Sequence, residues 1–217
     1  MDNQFTIYGA LGSGSVPIEA ALTLLGLPYE IIERAPFKEV LIDEAIIMVN
    51  PLGQVPALLL PGGELITESA AILIWLADRY PNLRLAPGAL DRHRPAFLRW
   101  MAYVSSAIYA LFWIRDDPSR LTPDPELQAL IKARTADRIA DCWAMMEAQI
   151  TPSRYLLGDQ LGVLDLYVTT ISRWGPRRRR FYEVAPKMAE VVRRVDKDPR
   201  LKAFWAERFP FVEGWEG

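Results

Sequence analysis

The sequence is poor in the residues that bind metals or form disulfides. Among its 217 residues there is one cysteine, Cys142, so no disulfide can form within the chain, and a reducing cytoplasm is the expected compartment. The one histidine, His93, stands in a charged run and is expected on the exposed side of a helix. One histidine and one cysteine cannot supply the usual ligand sets of a zinc site, so we expect no metal centre.

A basic excess and long hydrophobic runs are also absent. Lys plus Arg number 25 and Asp plus Glu 27, a net charge of −2, whereas nucleic-acid-binding proteins usually carry a basic excess. The first ten residues lack the pattern of a signal peptide, and the most apolar run, 70–77, is far too short to span a bilayer. We therefore expect neither a nucleic acid nor a membrane as a partner. The arginine run 177–180 could bind an anion or nucleic acid, but in an acidic chain we expect a solvated loop.

What is present is a globular composition whose N-terminal part alternates strand and helix patterns. Hydrophobic residues make up 51% of the chain and charged residues 24%, enough to bury a core without disulfides or metals. A helix that starts beside Pro17 and stops at Gly26 separates two predicted strands, which implies a right-handed βαβ unit. The predicted elements are strands 5–8 and 29–33, helices 16–25 and 38–49, hairpin strands 55–60 and 64–67, and helix 68–80.

The pattern changes at the proline- and glycine-containing segment 81–88. No convincing strand follows it, and apolar residues recur at helical spacing instead. We therefore predict an α/β domain over residues 1–82, a linker over 83–89 and an all-helical domain over 90–217. The predicted helices of the second domain are 92–115, 124–150, 164–174, 185–195 and 199–207.

Two segments around the predicted hairpin indicate a site for a peptide and an anion. Pro56 starts a strand, where proline is tolerated, and a cis Val55–Pro56 bond would turn the backbone N–H and C=O of Val55 outward to pair with an extended peptide. An ordinary edge-strand proline is the alternative. Thr67 or Ser69 can cap the buried helix that follows, and the free N–H groups at its N-terminus suit a carboxylate. Simple capping is the alternative there.

The loop before the first helix carries two hydroxyls, Ser13 and Ser15. At a helix N-terminus they could stabilise a thiolate by hydrogen bonding, helped by the positive end of the helix dipole. A serine that only caps the helix is the alternative interpretation.

Taken together, these segments resemble the glutathione S-transferase superfamily. The resemblance rests on residues 54–58 (Gln-Val-Pro-Ala-Leu), 68–72 (Glu-Ser-Ala-Ala-Ile) and 26–30 (Gly-Leu-Pro-Tyr-Glu). Residues 100–106 are also similar to the first C-terminal helix of bacterial, beta-like members. The resemblance implies a thioredoxin-like βαβ-ββα domain with a cis-proline, an all-helical C-terminal domain, glutathione as co-substrate and a small hydrophobic electrophile as second substrate. It also implies a cytoplasmic homodimer.

The resemblance further implies roles for residues at the glutathione site. Val55, beside Pro56, would pair with the cysteinyl backbone of glutathione. Glu68 would lie near the ammonium of the γ-glutamyl end, and Ser69 would bind the carboxylate of that end. The glycine end would be met by Gln54 and Lys38.

One departure from the family pattern concerns the residue that contacts the sulfur. Beta-like members carry a cysteine in the first loop, and this chain has none there. The departure leaves Ser13 or Ser15 to stabilise the thiolate, with Ser13 slightly favoured and Tyr8 as a weaker third candidate. Cys142 falls in a predicted C-terminal helix and is expected to be a buried bystander.

The implied reaction is attack by the glutathione thiolate on an electrophilic carbon. Lowering a thiol pKa by about two units needs about 2.7 kcal/mol of preferential thiolate stabilisation, which one charge-assisted hydrogen bond and a helix N-terminus can supply. The resemblance also implies that Tyr103 and Tyr109 face the second substrate from the helical domain, where aromatic side chains would suit planar apolar molecules, with core packing as the alternative for both. A glutathione-dependent isomerase, dehalogenase or ether-cleaving enzyme remains open, as does a non-catalytic scaffold of the same fold.

Overall fold

The computed structural model of the protein describes residues 4–34, 44–174 and 178–210. Its N-terminal part contains a four-stranded mixed sheet in the order β2-β1-β3-β4, in which β1 runs parallel to β2 and antiparallel to β3, and β3 runs antiparallel to β4. This arrangement confirms the thioredoxin-like βαβ-ββα prediction. The elements are β1 (Phe5–Gly9), α1 (Val16–Leu25), β2 (Tyr29–Glu33), α2 (Glu44–Val49), β3 (Ala57–Leu59), β4 (Leu65–Thr67) and α3 (Ser69–Arg79).

Local sequence signals explain the first βαβ unit. In β1, the buried residues Phe5 and Ile7 alternate with half-buried ones, the period of a strand with one face in the core. Helix α1 has Pro17 in its first turn and ends at Gly26, which adopts a left-handed conformation with φ of 65°. Of the predicted second helix, residues 38–43 lie outside the described residues, and α2 accounts for the rest.

The hairpin is shorter than its apolar pattern predicts, and α3 is as buried as predicted. β3 and β4 are three residues long each, and Leu58 lies opposite Ile66. Val55 and Pro56 precede β3 and stay outside the ladder, which leaves this segment free to line another surface. Helix α3 packs against α1 and α7. Its fully buried residues are Ile72, Leu73 and Leu76.

The second half contains helices and loops throughout its described part, which confirms the all-α prediction. The long predicted helix 92–115 is one helical segment, Arg94–Asp116, whose middle residues Val104–Tyr109 are π-helical. By length and composition this segment is apolar enough to cross a membrane, but the core helices of soluble proteins are too. Six of its apolar residues are buried in the core: Phe97, Trp100, Met101, Val104, Ile108 and Phe112. The helices are α4 (Arg94–Tyr103), α5 (Ala110–Asp116), α6 (Pro125–Gln149), α7 (Val163–Ser172), α8 (Arg179–Val184), α9 (Pro186–Asp196) and α10 (Lys202–Arg208).

The segment between the two halves docks on the start of α7. Leu85 is 2% exposed, and its carbonyl oxygen accepts the Val163 N–H at 2.7 Å. A Cβ on Gly162 would lie 2.7 Å from that same oxygen, so the close approach of the two backbones needs glycine. Asp165 accepts the N–H groups of Gly162 at 2.8 Å and Leu156 at 2.9 Å, which satisfies the helix start.

The prediction of a solvated loop at the arginine run is wrong for Arg178. Residues 175–177 lie outside the described part of the chain, but Arg178 is fully buried and donates to the Asp196 carboxylate and to the Thr169 carbonyl oxygen. Arg173 donates to the same carboxylate at 2.5 Å. A buried carboxylate shared by two arginines joins the end of α7 to α9 and to the start of α8, a helix that the sequence pattern did not predict.

Candidate active site

A cavity of about 830 Å³ opens between the α/β domain and the helical domain. This volume is typical of a small-molecule site. One wall comes from the β1–α1 loop, the segment before β3 and the residue that precedes α3, and includes Ser13, Gln54, Val55 and Glu68. The other comes from the helical domain and includes Ser105, Tyr109, Phe112, Trp113, Arg120 and Trp174.

The first of the two loop serines, Ser13, faces the cavity. Its Oγ accepts the N–H groups of Ala10 and Ser15, both at 3.2 Å. Two N–H donors occupy the acceptor positions of this hydroxyl, so its own proton is available to donate. The Ser15 Oγ lies 3.0 Å from the Ser13 Oγ, within hydrogen-bond distance.

The second loop serine, Ser15, faces the core. It is 0% exposed, and although it precedes α1, its side chain does not cap the helix. Its Oγ donates instead to the buried Glu19 carboxylate at 2.6 Å. Because the single proton of Ser15 goes to a carboxylate, Ser13 must be the donor in the contact between the two hydroxyls. The structure therefore brings Ser13, and not Ser15, to the cavity.

The segment before β3 contributes residues to the cavity lining beside a cis peptide bond. The Val55–Pro56 peptide bond is cis. Val55 and Gln54 line the cavity, whereas Pro56 is buried. The side chain of Asn50, itself 5% exposed, donates to the Gln54 carbonyl oxygen at 2.8 Å and so fixes the turn. Lys38, the other residue predicted beside Gln54, lies outside the described residues.

Glu68 lines the cavity from a backbone conformation that is rare for a residue with a side chain. Its φ is 67° and its ψ 105°, a combination that costs about 1–3 kcal/mol and is most often found at functional sites. Its carbonyl oxygen accepts the Ile72 N–H at 2.9 Å, where α3 begins. Thr67 and Ser69, predicted as alternative caps, are placed differently: Thr67 ends β4, and the buried Ser69 Oγ lies 3.1 Å from the Tyr167 hydroxyl.

The helical domain contributes an aromatic wall. Tyr109 stacks on Tyr167 with 6.3 Å between ring centroids and meets Trp174 edge-on at 4.7 Å. Phe112 meets the other side of this cluster, with its centroid 5.4 Å from that of Trp174. Burial, and then the neighbouring Tyr167 and Glu68, raise the pKa of Tyr109 above its usual range. Its hydroxyl is therefore a protonated donor at neutral pH.

Two residues of the aromatic wall also contact the β1–α1 loop. A Cβ on Gly14 would lie 2.2 Å from the Tyr109 hydroxyl oxygen, so the absence of a side chain at this position permits the approach. The Trp174 Nε1 donates to the Gly12 carbonyl oxygen at 2.6 Å. The loop that presents Ser13 is thus held between the two domains.

Comparison with known proteins places the chain in a family. A model of the glutathione S-transferase N-terminal domain matches residues 15–79. The chain is 32% identical over 197 residues to the uncharacterized GST-like protein YncG of Escherichia coli (strain K12), an alignment that covers 90% of this chain and 94% of that protein. The chain belongs to the glutathione S-transferase superfamily.

Further similarities to glutathione S-transferases agree with this assignment. Glutathione S-transferase GstA of Escherichia coli O157:H7 is 27% identical over 154 residues, 71% of this chain and 73% of that protein. Among solved structures, a glutathione transferase homologue from Sulfitobacter with bound glutathione superposes with a TM-score of 0.79 at 22% identity, covering 93% of this chain and 97% of that one. The structural likeness supports the two-part fold of the superfamily.

Two tyrosines that the glutathione S-transferase resemblance suggested lie away from the cavity. Tyr103 on α4 donates its hydroxyl proton to the Cys142 carbonyl oxygen at 3.1 Å. Burial, and then the neighbouring Cys142 side chain, raise the pKa of Tyr103 to about 12. The structure thus places Tyr103 against α6 and outside the cavity lining. Tyr8 lies within β1, paired with Ile32 and Ala57, and is not among the lining residues. Cys142 is fully buried.

Several residues that line the cavity were not singled out from the sequence. Phe112 and Trp113 follow Tyr109 by three and four positions, so their shared helix face was a usable signal. Arg120 lies over the Trp113 ring, 4.7 Å from its centroid. Trp174 carries no local signal, because its place in the wall depends on how the helices pack. In the part of the chain that the structure describes, no group of three His, Cys, Asp or Glu could hold a metal ion.

Proposed function

We propose that this protein is a glutathione transferase that binds glutathione in the interdomain cavity and directs its thiolate at a small hydrophobic electrophile. The observation that carries the proposal is the juxtaposition of three polar elements with an aromatic wall. Ser13, Val55 and Glu68 line one side, and the helical domain lines the other. The Sulfitobacter homologue with bound glutathione supports the choice of co-substrate.

Glutathione is an extended tripeptide, and the polar side of the cavity offers a partner for each of its parts. The Val55 backbone would pair with the cysteinyl residue, and Glu68 would attract the ammonium of the γ-glutamyl residue. The carboxylate of that residue would meet the N–H groups at the start of α3 and the Ser69 hydroxyl, which can donate to it while accepting from Tyr167. Gln54 would lie near the glycine end.

Ser13 would stabilise the thiolate. Two backbone N–H groups occupy its acceptor positions, so it can turn its proton from the Ser15 Oγ to a sulfur anion without losing them. A hydrogen bond to a charged acceptor is worth about 1.5–3 kcal/mol, which corresponds to about one to two units of thiol pKa. The N-terminus of α1 adds to this stabilisation.

The aromatic wall would hold the electrophile. Tyr109, Phe112 and Trp174 form one edge-to-face cluster, and Trp113 extends it. Such surfaces bind planar apolar molecules well. The protonated Tyr109 hydroxyl lies against the β1–α1 loop, where it could donate to an atom that gains negative charge during the attack.

Family membership also supports a homodimer and a cytoplasmic location for the protein. Sedimentation of the purified protein tests the first expectation. A mass near 24.6 kDa, that of one chain, would contradict it.

The proposed function is tested by calorimetric titration with glutathione and by turnover of an aryl halide. Glu68→Gln keeps the size of the side chain and removes its charge, so we expect glutathione to bind about 10- to 100-fold more weakly. Glu64→Gln is the matched control, because Glu64 is an exposed hairpin residue outside the cavity lining. The proposal is supported if the wild-type protein binds glutathione and turns over the aryl halide, and if Glu68→Gln weakens these properties whereas Glu64→Gln does not. A wild-type protein that binds no glutathione contradicts it.

A further inference from the structure

A buried ion pair lies directly behind the loop serines. The Glu19 carboxylate on α1 is 0% exposed and accepts the Ser15 hydroxyl proton through one oxygen. Its other oxygen accepts from the Arg208 Nε at 2.5 Å. Arg208 ends α10, so the pair joins residues that are 189 positions apart in the chain. Arg208 also donates to Glu33 on β2, which is half-exposed.

The same end of α10 also holds the backbone of the loop. The Gly12 N–H donates to the Arg208 carbonyl oxygen at 3.1 Å. Next to it, the Phe209 ring covers Gly12 so closely that a Cβ there would lie 3.2 Å from a ring carbon. Arg208 therefore contacts the thiol-site loop in two ways, through its backbone at Gly12 and through the chain of side chains that runs by Glu19 and Ser15 to Ser13.

The charge of Glu19 acts on a thiolate at Ser13. The linking hydrogen bonds measure 2.6 and 3.0 Å. With one more hydrogen bond to the sulfur, the carboxylate lies within about 9 Å of it. A negative charge at that distance disfavours a second anion. Arg208 neutralises Glu19: burial alone would lower the pKa of Arg208, but its hydrogen bonds to Glu19 and Glu33 outweigh burial and raise it, so Arg208 stays a cation.

We propose that Arg208 and Glu19 form a positioning pair for the thiol site, in which Glu19 fixes Ser15 as a donor and Arg208 cancels the charge that Glu19 would otherwise impose on the thiolate. The proposal rests on the proposed function, since it needs glutathione bound with its sulfur at Ser13. Neither residue lines the cavity, so both act through the loop. In the part of the chain that the structure describes, Glu33 on β2 accepts from Arg208, and Tyr29 on β2 interacts electrostatically with both members of the pair and with Glu207 on α10.

The test measures the thiol pKa of bound glutathione, by ultraviolet thiolate absorbance against pH, together with the pH profile of kcat/KM. Arg208→Gln leaves Glu19 uncompensated and should raise the thiol pKa by about one pH unit at an effective dielectric constant near 20. Glu19→Gln leaves the Arg208 cation and should lower it. The double variant removes both charges and should return the thiol pKa close to the wild-type value. Opposite shifts that cancel are a signature that a merely structural contact does not produce.

Glu33→Gln is the matched control. Glu33 binds the same guanidinium, but its side chain is 51% exposed and screened by solvent, so the thiol pKa should barely move. If Arg208→Gln does not fold, the comparison of Glu19→Gln with the double variant still tests the sign, because neither contains an unpaired buried carboxylate. In that comparison the double variant should have the higher thiol pKa.

The outcomes separate this inference from the function on which it rests. A wild-type protein that binds no glutathione overturns both. The positioning pair alone is overturned if the wild-type protein forms the bound thiolate but the Glu19 and Arg208 changes do not shift the thiol pKa, or shift it in the same direction. Opposite shifts restored in the double variant support it.

Discussion

Replacement of Ser13 by alanine removes one hydroxyl from the cavity and leaves the rest of the polar wall in place. The Ser13 Oγ accepts N–H groups of Ala10 and Ser15, and its proton is the one that can turn toward a ligand sulfur. Ala10 retains the Ser15 Oγ as an acceptor at 3.2 Å, so the loop keeps part of its hydrogen bonding. We therefore expect Ser13→Ala to fold and to bind glutathione while losing the thiolate.

The size of the effect follows from the hydrogen bond that is lost. A hydrogen bond to an anion contributes about 1.5–3 kcal/mol, so the thiol pKa of bound glutathione should rise by about one to two units. Below the wild-type thiol pKa, the thiolate fraction and kcat/KM for an aryl halide should both fall about 10- to 100-fold. The difference should shrink as the pH rises through the new pKa, because the thiol then ionises without help.

Ser15→Ala provides the comparison that makes the result decisive. Ser15 is fully buried and donates to Glu19, so its loss should lower the free energy of unfolding by about 1–3 kcal/mol while shifting the thiol pKa less than the Ser13 change does. Both variants are assayed by ultraviolet titration of bound glutathione and by urea unfolding. If Ser13→Ala leaves the thiol pKa at its wild-type value, or if Ser15→Ala shifts it more, the reasoning about the loop is refuted.

Two further predictions concern the helical domain. Tyr103→Phe should leave aryl-halide turnover within about twofold of wild type, because the Tyr103 hydroxyl bonds to α6. Tyr109→Phe should lower kcat by about tenfold or more, because Tyr109 lines the cavity. Steady-state kinetics check both variants, and equal losses would contradict the placement of Tyr109 at the site. Burial raises the pKa of Asp165 to about 7 although the Leu156 and Gly162 N–H groups lower it. Because the folded-state pKa exceeds the ordinary 3.8, this group stabilises the fold fully below about pH 4 and loses that contribution as the pH rises through 7. Urea unfolding between pH 4 and 8 should therefore show a weaker fall in stability for Asp165→Asn than for wild type, and parallel curves would contradict it.

Much of the fold follows from signals within a few residues of each other. Helix α1 and strand β2 span the residues that the pattern predicts, because Pro17 and Gly26 mark the ends of the helix and Tyr29, Ile31 and Ile32 form a short apolar cluster in the strand. The short β3 and β4 strands and the missed helix α8 are less predictable. Strand length depends on where the partner strand ends, and α8 is anchored by the buried pairing of Arg178 with Asp196.

The sequence by itself determined the family, the two-part architecture and the segments that form the polar wall of the cavity, because Gln54, Val55 and Glu68 stand in short motifs. Only the tertiary structure decided which serine reaches the cavity. Ser13 and Ser15 are two positions apart, and what separates them is the contact of Ser15 with Glu19 and, through it, with a distant arginine.

The helical side of the site was likewise decided by packing. Tyr103 and Tyr109 are six positions apart on one helical segment and therefore on different faces, and the packing of this segment decides that Tyr109 faces the cavity and Tyr103 faces α6. Trp174 and Arg208 reach the β1–α1 loop from the far end of the chain. No pattern of neighbouring residues encodes such contacts, since they exist only when buried surfaces from both domains close on each other.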